Sequence, residues 1–138
     1  MRVMMMIKGD REPGHLPSDE FLTQMGKYNE DLSKAGVLLD LSALHWSAHG
    51  VRVTFSRGTR TVVNGPFGEP KETVAGYWIL QVKSMDEAVD WAKRMPFEAG
   101  GEPDVEGEME IRQVFELEEL GASPATGGGH QLEDAPRS

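Results

Sequence analysis

Gly76-Tyr77-Trp78-Ile79-Leu80-Gln81-Val82 is the most apolar extended stretch of the chain, and its reading decides the fold. Side chains alternate across a strand, so Trp78, Leu80 and Val82 share one face while Tyr77, Ile79 and Gln81 share the other. A strand that is largely apolar on both faces must be covered on both, which places it inside a sheet. Residues 2–8 repeat this character: Val3, Met5 and Ile7 face one way and Met4 and Met6 the other. The two stretches, 2–8 and 76–83, are expected to be the central strands.

Immediately upstream runs Thr61-Val62-Val63-Asn64-Gly65-Pro66-Phe67-Gly68-Glu69-Pro70-Lys71-Glu72. A short β-rich run stops at Asn-Gly-Pro, where Asn and Gly tolerate positive φ and Pro66 fixes φ and removes a donor, so the chain turns. Before it, Val51-Arg52-Val53-Thr54-Phe55 alternates as a half-buried strand should, and Ser56-Arg57-Gly58-Thr59 reads as a hairpin turn into Arg60–Val63. Downstream, Ser84 with Glu87 three residues later forms a capping box, and a helix runs from there until Pro96 stops it. Near the start, Ser18 caps a second helix whose Phe21, Met25, Tyr28, Leu32 and Ala35 recur at helical spacing, with Gly36 closing it. Gly26 inside that helix suggests close packing. Val37–Leu41 and Glu108–Phe115 read as further strands, with residues 44–50 a connection and 97–107 a loop.

The order is therefore β-α-β-β-α-β with an inserted hairpin, an α+β fold of ferredoxin-like type. Both helices of that topology cover one face of the sheet. A second copy packed sheet to sheet would cover the other, giving a homodimer that encloses a barrel-like cavity, a dimeric α+β barrel.

At 138 residues the chain is expected to hold one domain, residues 1–120, followed by an acidic, disordered tail, residues 121–138. The net charge of −9 is uneven: residues 1–97 hold twelve Lys and Arg against twelve Asp and Glu, and residues 98–138 hold two against eleven. An acidic chain of this kind is not expected to bind nucleic acid, whose recognition depends on neutralising phosphates. There is no cysteine, which excludes disulfides, thiolate metal sites and a cysteine nucleophile. No stretch approaches the roughly 20 apolar residues of a membrane span, and Met1–Lys8 is too short for a signal peptide. A cytoplasmic location, no membrane contact, no metal and no cofactor are expected.

The candidate chemistry is sparse. His45 is the titrating group of most interest, because imidazole changes charge near neutral pH; a structural loop residue is the alternative. His49 lies four residues on, but residues 47–50 do not read as the helix that metal-binding pairs at that spacing usually occupy. Lys71 and Glu72 could contact a ligand or pair with each other, and Asp40 could point into a cavity. Asn64, Gly65, Pro66, Phe67, Lys71, Glu72 and Trp78 are taken as lining the ligand pocket. No phosphate-binding loop and no nucleophile elbow is present.

Residues 1–120 resemble the YCII-related family, in the branch known for a DGPF motif. The likeness rests on the Met-rich first strand, Leu16-Pro17-Ser18, Met25-Gly26-Lys27-Tyr28-Asn29, Ala35–Leu39, Leu44-His45, Asn64-Gly65-Pro66-Phe67, Gly76-Tyr77-Trp78, the helix from Ser84 to Pro96, and Glu110–Phe115. The resemblance implies a ferredoxin-like fold forming a dimeric α+β barrel, and it implies cofactor-independent proton transfer, of isomerase or lyase type, on a small organic molecule bound in the dimer-barrel cavity, with His45 as the base. A non-catalytic module binding a metabolite or a protein, linked to transcription regulation, is the alternative it suggests. The family's helix-borne histidine is absent between Ser18 and Ala35, and Asn64 stands where the motif has Asp. Asn keeps the hydrogen bonding of the turn but cannot act as a base.

Overall fold

The computed structural model describes residues 1–100 and 107–121. The tail expected from residue 121 onward lies, beyond Gly121, outside the described residues. The chain forms β1 (Arg2–Lys8), α1 (Asp19–Lys34), β2 (Leu38–Ala43), β3 (Val51–Ser56), β4 (Thr59–Asn64), β5 (Val74–Gln81), α2 (Met85–Lys93) and β6 (Glu108–Gln113), with single 3-10 turns at Ser47–His49, Pro70–Glu72 and Phe97–Gly100. One four-stranded sheet has the order β2-β5-β1-β6, and β3 and β4 form a separate two-stranded hairpin. All pairings are antiparallel. The fold is the ferredoxin-like α+β arrangement with an inserted hairpin, and β1 and β5 are its central strands.

Local chemistry explains the elements. Ser18 accepts from the Phe21 amide at 3.1 Å, and Asp19 and Glu20 complement the positive end of α1. Gly36 follows with φ 75°, where a side chain would be strained. Ser84 accepts from the Glu87 amide at 3.2 Å. Glu87 reaches back to the amide of Lys83 at 2.8 Å, one residue earlier than a standard capping box would have it. Gly26 does not serve close packing: a Cβ built there meets nothing within 4 Å.

Both helices cover one face of the sheet. Val3 and Met5 of β1, Trp78 and Leu80 of β5, and Val82 just beyond it are buried there against Tyr28, Leu32, Ala88 and Trp91. The polar tips within this core are satisfied, as buried polar groups must be. Tyr28 donates to the Trp91 carbonyl at 2.6 Å and Trp78 Nε1 donates to Asn29 Oδ1 at 2.8 Å. Burial pushes the Tyr28 phenol well above its usual value. The Arg2 guanidinium grips Glu116 through two bonds of 2.9 and 3.1 Å, tying the segment after β6 to the start of β1.

The hairpin departs from its alternating pattern. Val51, Val53 and Phe55 were expected to be half-buried, yet they are exposed, Val51 by 61% and Phe55 by 63%. The extensive contacts of β3 and β4 are with each other, so the apolar side of the hairpin is uncovered among the described residues.

Candidate functional site

Three segments converge beside the root of the hairpin: the loop after β1, the connector from Leu44 to Gly50, and the turn from Gly65 to Gly68. Ser47 joins them. Its amide donates to Asp10 Oδ1 at 3.0 Å, its hydroxyl donates to Asp10 Oδ2, and its Oγ accepts from the Phe67 amide at 3.3 Å. Its carbonyl accepts from the Gly50 amide at 2.8 Å, and the Gly50 carbonyl accepts from the Gly65 amide at 2.9 Å. Ser47 is the one buried polar residue among those described. These donors hold the Asp10 carboxyl below the usual carboxylate range, the Ser47 hydroxyl contributing most.

Gly65 is explained by this junction. A Cβ there would lie 1.7 Å from the Ser47 carbonyl oxygen, so only glycine permits the approach. Positive φ was the expected reason for the Asn64-Gly65 pair; in the structure it falls on Gly68, at 93°, and on neither of these two. The Gly65–Pro66 peptide is cis. The Phe67 ring lies against the connector, 3.3 Å from where a Cβ on Gly50 would stand.

The convergence leaves an open groove of about 340 Å³ lined by Leu44, His45, Trp46, Ser47, His49, Gly50, Arg52, Phe67, Glu72, Thr73 and Val74. The His45 and His49 rings meet with Nδ1 to Nδ1 at 3.0 Å. Trp46 stands edge-on to both, with centroids 4.8 Å from His45 and 5.4 Å from His49. Opposite, the Arg52 guanidinium lies 4.2 Å above the Phe67 ring centroid, a cation–π contact. The wall thus combines two imidazoles, one guanidinium and one carboxylate with aromatic and aliphatic surface.

Of the residues singled out from sequence, His45, Phe67 and Glu72 line the groove. Gly65 is not on the wall but packs against Ser47, which is, and Pro66 does not line it. Asn64 ends β4 opposite Val51 and is not on the wall. Lys71 gives its backbone carbonyl to Lys8 Nζ at 3.3 Å. Trp78 is buried under α1 and takes no part in the groove. Asp40 lies on edge strand β2, accepting from the Tyr77 hydroxyl at 3.4 Å. Residues 47–49, expected to be an irregular connection, form a 3-10 turn, and that turn brings the two histidines together. His49 was weighed only as a metal ligand, and nothing in the sequence marks Asp10, Trp46, Ser47 or Arg52. A short polar residue at a strand exit and a lone serine in a connector carry no periodic signal; only the partner at long range reveals them. Among the described residues, no group of three or more His, Asp or Glu is placed to hold a metal ion, and no helix is long and apolar enough to cross a membrane.

The comparison with family models decides the relationship, since the YCII-related domain matches residues 1–118. The chain belongs to the YCII-related family. An uncharacterized protein of Rhizobium meliloti is 33% identical over 60 residues, 44% of this chain and 48% of that protein, so the match spans about half the length of that relative. Among solved structures, the 5-chloro-2-hydroxyhydroquinone dehydrochlorinase of Burkholderia phenoliruptrix, in complex with 2,5-dihydroxybenzoquinone, is similar at 14% identity. That likeness covers 83% of this chain and 94% of that one at a TM-score of 0.36.

Proposed function

We propose that this YCII-related protein binds a small organic molecule in the groove beside the hairpin root and moves a proton there without a cofactor, acting as a homodimer. The observation that carries the reading is the 3.0 Å contact between His45 Nδ1 and His49 Nδ1 on the groove wall. In such a contact one Nδ1 carries the hydrogen and the other accepts it. With both rings neutral, the donating ring then has a free lone pair at Nε2, and the accepting ring carries its hydrogen at Nε2. The pair therefore offers a base and a donor side by side, which proton transfer between two positions of one substrate requires. A proton taken up at Nε2 turns the existing contact into a charge-assisted hydrogen bond. We assign the base to His45, with His49 as its orienting partner and Trp46 holding both rings edge-on.

Arg52 and Glu72 supply opposite charges for orienting a polar ligand, and Phe67, Leu44 and Val74 supply apolar surface. The homodimer is supported by the helix-free face of the sheet. Across it, register aligns Asp40, Ile79, Met4 and Arg112 in one row and Ser42, Tyr77, Met6 and Glu110 in the next. Its apolar centre has no covering element among the described residues.

Deuterium exchange provides the test. The protein is incubated in D2O with a panel of small carbonyl and phenolic acids, and NMR follows loss of substrate C–H signals. Exchange that disappears in His45→Gln, with the fold intact by circular dichroism, is the expected result. Ligand-induced shifts of the Trp46 indole without exchange, unchanged in His45→Gln, would instead identify a non-catalytic metabolite-binding module. That reading is favoured by Asn64, which stands away from the wall and cannot accept a proton.

A further inference from the structure

The hairpin has two chemically distinct faces. Register places Val53 opposite Val62, Phe55 opposite Arg60 and Val51 opposite Asn64, so Val51, Val53, Phe55 and Val62 share one side, with Asn64 at its root and Arg60 against the Phe55 ring. All four are exposed, between 48% and 64%. Arg52 projects from the other side and lies over Phe67 at the groove. The apolar side therefore points away from the hairpin's own groove. A two-stranded hairpin is marginally stable by itself, and four large exposed apolar residues on one side of it mark a surface meant to be covered.

Charge indicates what covers it. Residues 51–63 contain Arg52, Arg57 and Arg60 and no acidic residue, whereas residues 108–119 contain Glu108, Glu110, Glu116, Glu118 and Glu119 against Arg112 alone. Among the described residues, Glu108 and Glu118 make no ion pair, and Arg57 makes none. Two hairpins laid together would set arginines against arginines. The hairpin and the acidic margin of the sheet are complementary, and β6 is an edge strand of that sheet beside the uncovered centre formed by Met4, Met6, Tyr77 and Ile79.

We propose that the apolar side of the β3–β4 hairpin of one copy lies across the helix-free sheet face of a second copy, with Arg57 and Arg60 toward the glutamates of β6 and the segment after it. In a two-fold assembly the contact occurs twice. A six-residue strand spans about 20 Å, enough to cross the roughly 4.8 Å spacings of a four-stranded sheet. This rests on the homodimer reading above and adds which element makes the contact. The contact also links dimer to groove, because docking on the outer side of the hairpin steadies Arg52, and with it one groove wall, on the inner side.

The chain has no cysteine, so single introduced thiols report contacts cleanly. Under oxidation, Val53→Cys protein mixed with Met4→Cys protein is expected to yield a disulfide-linked pair, with far less from either alone. Phe55→Asp, which alters a residue exposed in the single chain, is expected to weaken self-association about 10- to 100-fold by sedimentation while circular dichroism is unchanged. Arg57→Glu is expected to weaken it several-fold at low salt and less at high salt. Cross-linking in the Val53→Cys protein alone, or self-association untouched by Phe55→Asp, overturns the hairpin contact while the dimer stands. A wild-type protein that sediments as a monomer at micromolar concentration overturns the dimer and the contact together.

Discussion

The four-stranded sheet and the β3–β4 hairpin are built from similar residues and meet opposite fates. In the sheet, Val3, Met5, Trp78 and Leu80 are sealed beneath two helices; in the hairpin, Val51, Val53, Phe55 and Val62 face outward. Alternation of apolar and polar residues thus records that one side of a strand is to be covered, and it is silent about whether the cover comes from the same chain. The sheet should carry the stability of the isolated chain, and the hairpin should carry little of it.

The sharpest way to break that contrast is to truncate one residue in each region. Leu80 is completely buried, so Leu80→Ala removes burial and leaves a cavity, at a cost of about 2–5 kcal/mol. Phe55→Ala should change the unfolding free energy by less than about 0.5 kcal/mol when measured at a dilution where the chain is monomeric. Urea unfolding of both variants measures the difference. Equal losses would mean that the hairpin contributes to the fold of the single chain, and the contrast would fail.

A smaller effect is expected at the junction between the two regions, where Asp10 and Ser47 bind the loop after β1 to the connector. Asp10→Ala leaves the buried Ser47 amide and hydroxyl without their acceptor, a loss of about 1–3 kcal/mol. The sign of the pH effect follows from the carboxyl's lowered folded value. The contribution is present in full above the ordinary carboxylate range, near pH 4, and is lost as pH falls through the depressed folded value. The wild type should therefore lose stability in acid relative to Asp10→Ala, and their unfolding midpoints should converge below about pH 4. Parallel curves would show that the ionised Asp10 is not what holds the junction.

The sheet and helices were legible in the sequence because their signals are local: period-two stretches apolar on both faces, Ser18 and Ser84 at helix starts, Gly36 and Pro96 at their ends. The groove was legible only where a residue type announces itself. His45 and the Asn64-Gly65-Pro66-Phe67 turn drew notice as an imidazole and a turn. Ser47 did not, since its importance comes from meeting Asp10 across 37 residues of chain. Trp78, expected at the ligand pocket, lies away from this groove for the converse reason. An aromatic residue beside a turn suggests a ligand platform, but its position in the alternation of β5 sends it under α1, where Asn29 takes its indole hydrogen.

Two glycines extend the comparison to its smallest effect. Gly65 is required by the junction, because a Cβ there would collide with the Ser47 carbonyl. Gly26 lies on an exposed part of α1, and an added Cβ would meet nothing within 4 Å. Glycine in a helix interior costs about 0.5–1 kcal/mol relative to alanine, mostly through the freedom it has in the unfolded chain. Gly26→Ala should therefore stabilise the protein by about that amount in urea unfolding. The gain should also appear in the sheet, since α1 and the sheet share one core through Tyr28 and Leu32. Hydrogen exchange separates the two regions: core amides of β1 and β5 should be protected further, and hairpin amides, whose opening does not require α1 to leave, should exchange as before. A matching gain in the hairpin would tie β3 and β4 to the same cooperative unit as the sheet, and exposure alone would then have been a poor guide to how this chain unfolds.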